Sequence, residues 1–419
     1  MHHFHYRGDD LYCEEVPVAR IASEVGTPAY IYSHATLTRH FRVFDEAFDG
    51  VPHLVCFALK ANANLAVLKL FSDLGGGLDV VSGGELFRGL KAGVPPERIV
   101  YAGVGKTRDE IAYALKSDIL MFNVESGQEV RLIHEVASGM GTKARVALRV
   151  NPDVDAKTHP YISTGLKKSK FGIDIGQALQ EYEAARALSS LDVVGVHQHI
   201  GSQITEVGPF VDSLEKTAAL VRTLRERGLG IRYLDVGGGL GITYKDEEPP
   251  LPDELARALR GVIRGLDVTI VLEPGRVLVG NAAILVTRVL YTKETPAKNF
   301  FVVDAGMNDL IRPSLYGSYH AIRPVRQSPG RPEVVVDVVG PICESGDFLA
   351  KDRGLPRCEP GELLAVMSAG AYSHVMSSNY NARPRAPEVM VCGDRYHVVR
   401  ERETLDDLVR GERTLDELT

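Results

Sequence analysis

The sequence predicts an α/β plus β protein: a (β/α)8 TIM-like barrel with a C-terminal antiparallel β domain that also takes the N-terminal strand. Three observations carry this. Short apolar, β-branched runs recur eight times from about residue 53 onward, and helix-like stretches separate them. After about Ala283 the runs follow one another without long helices between them.

The eight runs are His53 to Leu59, Leu78 to Val81, Ile99 to Ala102, Ile119 to Asn123, Ala144 to Val150, Val193 to His199, Tyr233 to Val236 and Val268 to Leu272. Between them Leu65 to Leu74, Gly84 to Ala92, Arg108 to Lys116 and Phe210 to Arg227 place apolar residues at three and four spacings, as a one-sided helix requires. Strands alternating with helices pair in parallel, and eight such units favour a closed barrel over an open sheet. Later runs at Ile284 to Tyr291, Asn299 to Val303, Glu333 to Val339 and Leu363 to Met367 read as an antiparallel domain, to which Ala29-Tyr30-Ile31-Tyr32-Ser33 adds a strand. The expected division is 1–35 as a segment joining the β domain, 36–282 as the barrel and 283–419 as the β domain.

With 419 residues, 44% hydrophobic and 25% charged, the chain has the composition of a globular protein, not a disordered or fibrous one. No apolar run reaches the eighteen or so residues of a membrane span. The start, Met1-His2-His3-Phe4-His5, is a terminal oddity without the apolar core of a secretory signal, so a cytoplasmic protein is expected. Cys13, Cys56, Cys343, Cys358 and Cys392 are scattered and odd in number, which predicts reduced thiols. The net charge of -7 is spread without a basic stripe, which excludes the footprint of a nucleic-acid binder and leaves a small molecule as the expected partner.

Barrel chemistry sits at the C-terminal ends of strands. The first strand ends at Lys60, directly after a buried run. Two readings stand there: a solvated lysine at a strand end, or an amine that condenses with an aldehyde in a dry, cationic setting. In Val196-His197-Gln198-His199-Ile200-Gly201-Ser202 the two-residue strand period puts His197 and His199 on one side. No carboxylate or third histidine lies at ligand spacing, so no metal is expected; an imidazole stacked on a planar cofactor fits better, and a satisfied core histidine fits His197 equally well.

The seventh strand runs into Gly237-Gly238-Gly239 and the eighth into Glu273-Pro274-Gly275-Arg276. Glycines let backbone amides approach an anion, and the loops after strands seven and eight commonly bind phosphate, with Ser202 a possible further donor. An aldehyde-binding lysine, a phosphate cup and a stacking imidazole together point to pyridoxal 5'-phosphate. Glu273 strengthens this, because a carboxylate beside the pyridine nitrogen keeps it protonated and the ring a strong electron sink.

From about Val25 to Val389 the sequence resembles the alanine-racemase-like, fold-type III decarboxylases, which act on diaminopimelate, ornithine and arginine. The resemblance rests on Phe57-Ala58-Leu59-Lys60-Ala61-Asn62, His199-Ile200-Gly201-Ser202-Gln203, Gly237 to Gly239, Glu273-Pro274-Gly275-Arg276, Cys343-Glu344-Ser345-Gly346-Asp347, Gly370-Ala371-Tyr372 and Met376 to Asn381. Glu344 and the Ser377 to Asn381 run bring it nearest to the diaminopimelate branch. It implies decarboxylation of meso-diaminopimelate to L-lysine and CO2, the last step of lysine synthesis.

It further implies Lys60 as the cofactor lysine, His199 against the ring, and Ser202, Gly238, Gly239 and Gly275 to Arg276 at the phosphate, with Pro274 in the same loop. Glu273 is implied at the ring nitrogen, Arg276, Arg312, Tyr316 and Glu344 at the substrate, and Tyr372 at both substrate and cofactor. Cys343 is implied as proton donor, carried with Glu344 into the site of the second subunit of a homodimer. Chemistry agrees at the far end of the substrate, where an arginine pairs a second carboxylate in bidentate fashion and Glu344 an ammonium. Thr158 to Gly165 reads equally as a lid or an ordinary loop. The alternatives are a decarboxylase of ornithine, arginine or carboxynorspermidine, an amino-acid racemase, against which Glu273 argues, and a non-catalytic cofactor-binding barrel, against which the long β segment argues.

Overall fold

The computed structural model describes residues 2–155 and 170–417, so the possible lid at Thr158 to Gly165 lies outside the described residues. The chain forms two compact units, Thr38–Leu278 and a second made of Met1–Leu37 with Val279–Thr419.

In the first unit eight strands, β1 His53–Ala58, β2 Gly77–Val80, β3 Ile99–Tyr101, β4 Met121–Val124, β5 Ala144–Asn151, β6 Leu191–His197, β7 Tyr233–Asp235 and β8 Thr269–Leu272, all pair in parallel. Each pairs with the next in chain order, and β8 pairs back to β1 through Ile270 with His53 and Leu272 with Val55, which closes the barrel. Its interior is filled by Cys56, Val100, Met121, Ala147, Val194 and Val271, contributed by six different strands, so the barrel is a packed core and not a pore. Helix starts are fixed by short polar caps. Ser82 accepts from the Glu85 amide, Ser126 from the Glu129 amide, and Thr107 forms a reciprocal capping box with Glu110. Each such cap contributes about 1 kcal/mol and sets where the chain leaves a strand end.

One strand boundary changes a sequence expectation. The β6–β7 register ends at His197 opposite Asp235, so the two-residue alternation does not extend to His199. Past His197 the last link to β7 is the Gln198 amide donating to Asp235 O at 2.9 Å, after which the chain leaves the sheet.

The second unit holds a small antiparallel sheet of Phe4–Arg7, Asp10–Cys13 and Val16–Pro17 and a nine-stranded sheet. In the larger sheet Ala29–Ser33 lies between Ala283–Glu294, antiparallel, and Glu388–Cys392, parallel. The sheet is mostly antiparallel, with a second parallel pairing between Asn299–Val303 and Glu333–Val339. Parallel neighbours need a long crossover. The connection from Val303 to Glu333 supplies one and carries the short helix Arg312–Tyr316. The histidine-rich start belongs to this fold: Phe4 is buried, packing in a core with Leu11, Ile21, Ile31 and Ile284. All five cysteines are free thiols. No helix among the described residues is long and apolar enough to cross a membrane.

Candidate active site

Lys60 sits in a single 3-10 turn, Leu59–Ala61, immediately after β1. Its Nζ donates to Asp79 Oδ2 at 2.8 Å, with the lysine side chain 34% exposed and Asp79 fully buried at the end of β2. Burial, and then the Glu273 charge, push the Asp79 carboxyl up; the Lys60 ammonium opposes them. Sequence reading did not single out Asp79, because one aspartate in Gly77-Leu78-Asp79-Val80 reads as a polar interruption of a strand.

Beneath the lysine lies a buried polar cluster from β4, β6, β7 and β8. Asn123 Nδ2 donates to Asp235 Oδ2 at 2.8 Å and to Glu273 Oε1 at 3.1 Å, and His197 Nε2 lies 3.5 Å from Glu273 Oε2. Burial works against a charge on Glu273, but His197 and Lys60 outweigh it and hold the carboxyl well below its usual range. Asp235 goes the other way: burial first, then the Glu273 charge, raise it well above an ordinary carboxyl. Two adjacent buried carboxyls are thus pushed in opposite directions, Glu273 down by its cationic neighbours and Asp235 up beside the Glu273 charge.

The ligand atoms of His197, Asp235 and Glu273 all lie within 4.8 Å of one another. The absence of a carboxylate at ligand spacing, true of the linear sequence, is therefore corrected by folding, because neighbouring strands bring two. A metal ligand must be deprotonated, burial disfavours a charge on Asp235, and Asn123 already donates to both carboxyls of the trio, which suits hydrogen bonding better than an ion.

His199 packs beside the glycine loop. Its Nδ1 accepts from the Gly238 amide at 3.2 Å, which fixes the proton of the neutral ring on Nε2. Burial, then the cations Arg149 and Lys60, push this imidazole well below its ordinary value, so it is neutral near pH 7. Arg149 is a further residue the sequence reading passed over. It bonds Glu125 at 2.8 Å and the His199 carbonyl at 3.2 Å.

The glycines are required first by backbone packing. A Cβ would lie 2.0 Å from Glu273 O at Gly238 and 2.5 Å from Gly201 O at Gly239, so only glycine lets the ends of β6, β7 and β8 meet. The Gly237 amide donates to Asp235 Oδ1 and the Gly238 amide to His199. Arg276, buried after β8, donates to Ser202 Oγ at 3.1 Å and to the Tyr244 hydroxyl at 2.8 Å. Pro274 O accepts from the Ala58 amide at 3.0 Å, tying the last loop to the strand that carries Lys60. Lys60, His199, Ser202, Gly238, Gly239, Glu273, Pro274, Gly275 and Arg276 thus all belong to the barrel unit, at or just beyond strand ends.

Arg312, Tyr316, Cys343, Glu344 and Tyr372 belong to the other unit. Arg312 is buried at the start of its helix, with Nη1 3.3 Å from His320 Nε2 and Nη2 3.4 Å from Ser318 Oγ. His320 Nδ1 must donate to the Met367 carbonyl at 2.9 Å, so its Nε2 is the acceptor that orients Arg312. Tyr316 is partly buried at the end of the same helix. Cys343 and Glu344 are exposed on a loop. That loop is held by Asp347, which accepts from the amides of Ile342 at 2.6 Å and Met307 at 2.7 Å. The Cys343 amide donates to Asn381 Oδ1 at 2.8 Å and the Tyr380 hydroxyl to Glu344 Oε2 at 2.9 Å. These contacts join the Cys343 motif to the Ser377 to Asn381 run. Tyr372 has φ +55, a left-handed conformation that costs a non-glycine residue about 1–3 kcal/mol and is met most often at functional positions.

The barrel residues fit pyridoxal phosphate on their own chemistry: a lysine at the mouth, a neutral imidazole, an anion loop with a buried arginine, and a buried carboxylate kept ionised. Residues 34–280 match the model of the pyridoxal-dependent decarboxylase, pyridoxal binding domain. Diaminopimelate decarboxylase of Pseudomonas aeruginosa is 54% identical over 98% of this chain and 99% of its own length. Among solved structures, diaminopimelate decarboxylase from Helicobacter pylori complexed with L-lysine is 44% identical with a TM-score of 0.91, covering 96% of this chain and 99% of that one. The enzyme from M. jannaschii in co-complex with L-lysine is 39% identical with a TM-score of 0.94, covering 99% of each. The chain belongs to the diaminopimelate decarboxylase family of pyridoxal-dependent decarboxylases.

Proposed function

We propose that this chain removes CO2 from meso-diaminopimelate to leave L-lysine, with pyridoxal phosphate as cofactor. The observation that carries the reading is the ionised Glu273 buried beside His197 under the Lys60 mouth. Bound there, the cofactor supplies an electron sink for the pair released as the carboxylate leaves.

The chain's own groups do the rest. Lys60 Nζ would hold the cofactor at its aldehyde, and Glu273 would keep a proton on the ring nitrogen. Neutral His199 would offer the ring an uncharged neighbour. Ser202, Arg276 and the Gly275 backbone hold the phosphate, with the Gly239 amide the glycine donor that Asp235 and His199 do not engage among the described residues. Arg312 takes the distal carboxylate, Glu344 the distal ammonium, and Tyr316 and Tyr372 line the substrate. Cys343 Sγ gives a proton to the α-carbon. The working form is a homodimer in which Cys343 and Glu344 serve the partner's site. A cytoplasmic setting suits five free thiols, one of them the proton donor.

The test is CO2 release from meso-diaminopimelate, with ornithine, arginine and carboxynorspermidine in parallel and the visible absorbance of bound cofactor recorded. Preference for one of the other three substrates overturns the assignment.

A further inference from the structure

We propose that the second unit carries a binding site for a compact dianion, a phosphomonoester or a dicarboxylate, in the cavity ringed by Arg288, Arg326, Arg331 and Arg357. The cavity has a volume of about 260 Å³. Its lining holds these four guanidiniums and two carboxylates, Asp10 and Glu362, in a chain whose net charge is -7. Like charges brought together repel, so a local excess of cations in an acidic protein calls for a counter-charge.

The ion pairs show which cations have one. Arg331 Nη1 donates to Glu362 Oε2 at 2.6 Å and to the Arg357 carbonyl at 3.0 Å, so Arg331 and Glu362 neutralise each other. Arg357 Nη2 turns to Glu294 Oε1 at 2.6 Å. Arg288 Nη1 meets only a neutral acceptor, Gly361 O, at 2.9 Å. Arg326 Nε stands 3.9 Å from Asp10 Oδ1, an ion pair stretched beyond hydrogen-bonding distance. Among the described residues Arg288 is thus the guanidinium of the ring with no carboxylate partner, and Arg326 has one without a hydrogen bond.

Their backbones are fixed before any ligand arrives. Arg288 lies within Ala283–Glu294, paired with Leu363. Arg326 is bridged to Asp10, flanked by hydrogen bonds from the Leu11 amide to Val325 O at 2.8 Å and from the Gln327 amide to Asp9 O at 2.7 Å. Planar guanidinium forks match the paired oxygens of a phosphate or carboxylate, and with the backbones already set only side-chain freedom is lost on binding. The volume lies just below the roughly 300 Å³ at which sites for drug-sized ligands begin, which suits a compact dianion.

Calorimetric titration of the full chain loaded with pyridoxal phosphate tests this, because the cofactor then occupies the barrel's own anion loop. The probes are inorganic phosphate and succinate, with acetate as the monoanion, at constant ionic strength. One dianion should bind per chain, about tenfold or more tighter than acetate. Phosphate binding ahead of succinate assigns a phosphomonoester, and the reverse a dicarboxylate. Arg326→Gln and Arg288→Gln should each weaken that binding about tenfold and leave decarboxylation unchanged. The Arg326 side chain is 75% exposed, so its replacement spares the fold. Arg326→Lys keeps the charge but loses the fork, and should restore only part of the affinity. No saturable heat from either dianion, or dianion binding unaltered in both Gln variants, overturns the site and leaves a solvated arginine surface.

Discussion

Lys60 Nζ and Asp79 Oδ2 are joined by a 2.8 Å hydrogen bond between a lysine open to the barrel mouth and a carboxyl with no exposure to solvent. The pair holds the amine in one place at the end of β1, which is what an amine that must meet one carbon requires. Borohydride treatment of the cofactor-loaded chain should therefore fix the label on Lys60. Peptide mapping that finds it on another lysine removes Lys60 from the assignment.

Glu273→Gln keeps the shape and the Asn123 hydrogen bond but removes the charge beside His197. Cofactor should stay bound while turnover falls by about two orders of magnitude, roughly 3 kcal/mol of barrier. An unchanged turnover number would take Glu273 out of the chemistry.

Asp235 has a folded value well above its ordinary 3.8, because burial and the Glu273 charge both disfavour its ionisation. Folding therefore favours the protonated form: the contribution is complete below 3.8 and is lost as pH rises toward the folded value. The Asp235→Asn variant has no such proton to lose. Its melting temperature relative to the parent should climb as pH rises above 3.8 toward the raised folded value. A difference that stays flat would mean that Asp235 is charged in the fold.

Arg312 is held by His320 and Ser318 and is assigned the distal carboxylate. Arg312→Ala should cost diaminopimelate roughly 2 to 5 kcal/mol in kcat/KM, the range for truncating one partner of a buried charge pair. Native kinetics in the variant would place that carboxylate elsewhere.

Mixing inactive Lys60→Ala chains with inactive Cys343→Ala chains separates shared from self-contained sites. If Cys343 serves the partner, random reassortment makes half the dimers mixed, each with one intact site, and activity returns toward about a quarter of wild type. A mixture that stays dead shows that each chain closes its own site.

The barrel was legible because its strands are short and β-branched and end in recognisable turn residues. Asn299–Val303 and Glu333–Val339 were read to the residue for the same reason. Phe4–Arg7 was missed because His-Phe-His-Tyr has no turn signal before it and resembles a tail. At the site, Lys60 and Glu273 stood out because each follows an apolar run. Asp79, Asn123 and Arg149 lie inside their strands and Asp235 ends its own, and a lone polar residue there carries no local sign of what faces it across the barrel. The link between Glu344 and Tyr380 spans 36 positions and depends on tertiary closure alone.

Ala29–Ser33 is completely buried between Ala283–Glu294 and Glu388–Cys392. During synthesis this segment leaves the ribosome early, yet its first neighbour is made some 250 residues later and its second only near the end. At the roughly 5–20 residues per second of translation, an apolar, β-prone peptide waits tens of seconds with both edges open, and an open edge invites pairing with other chains. The sheet can close only once Glu388–Cys392 has emerged. Loss of the last thirty or so residues would therefore strip one whole side from a strand near the start, making premature termination an aggregation hazard as well as a loss of the tail.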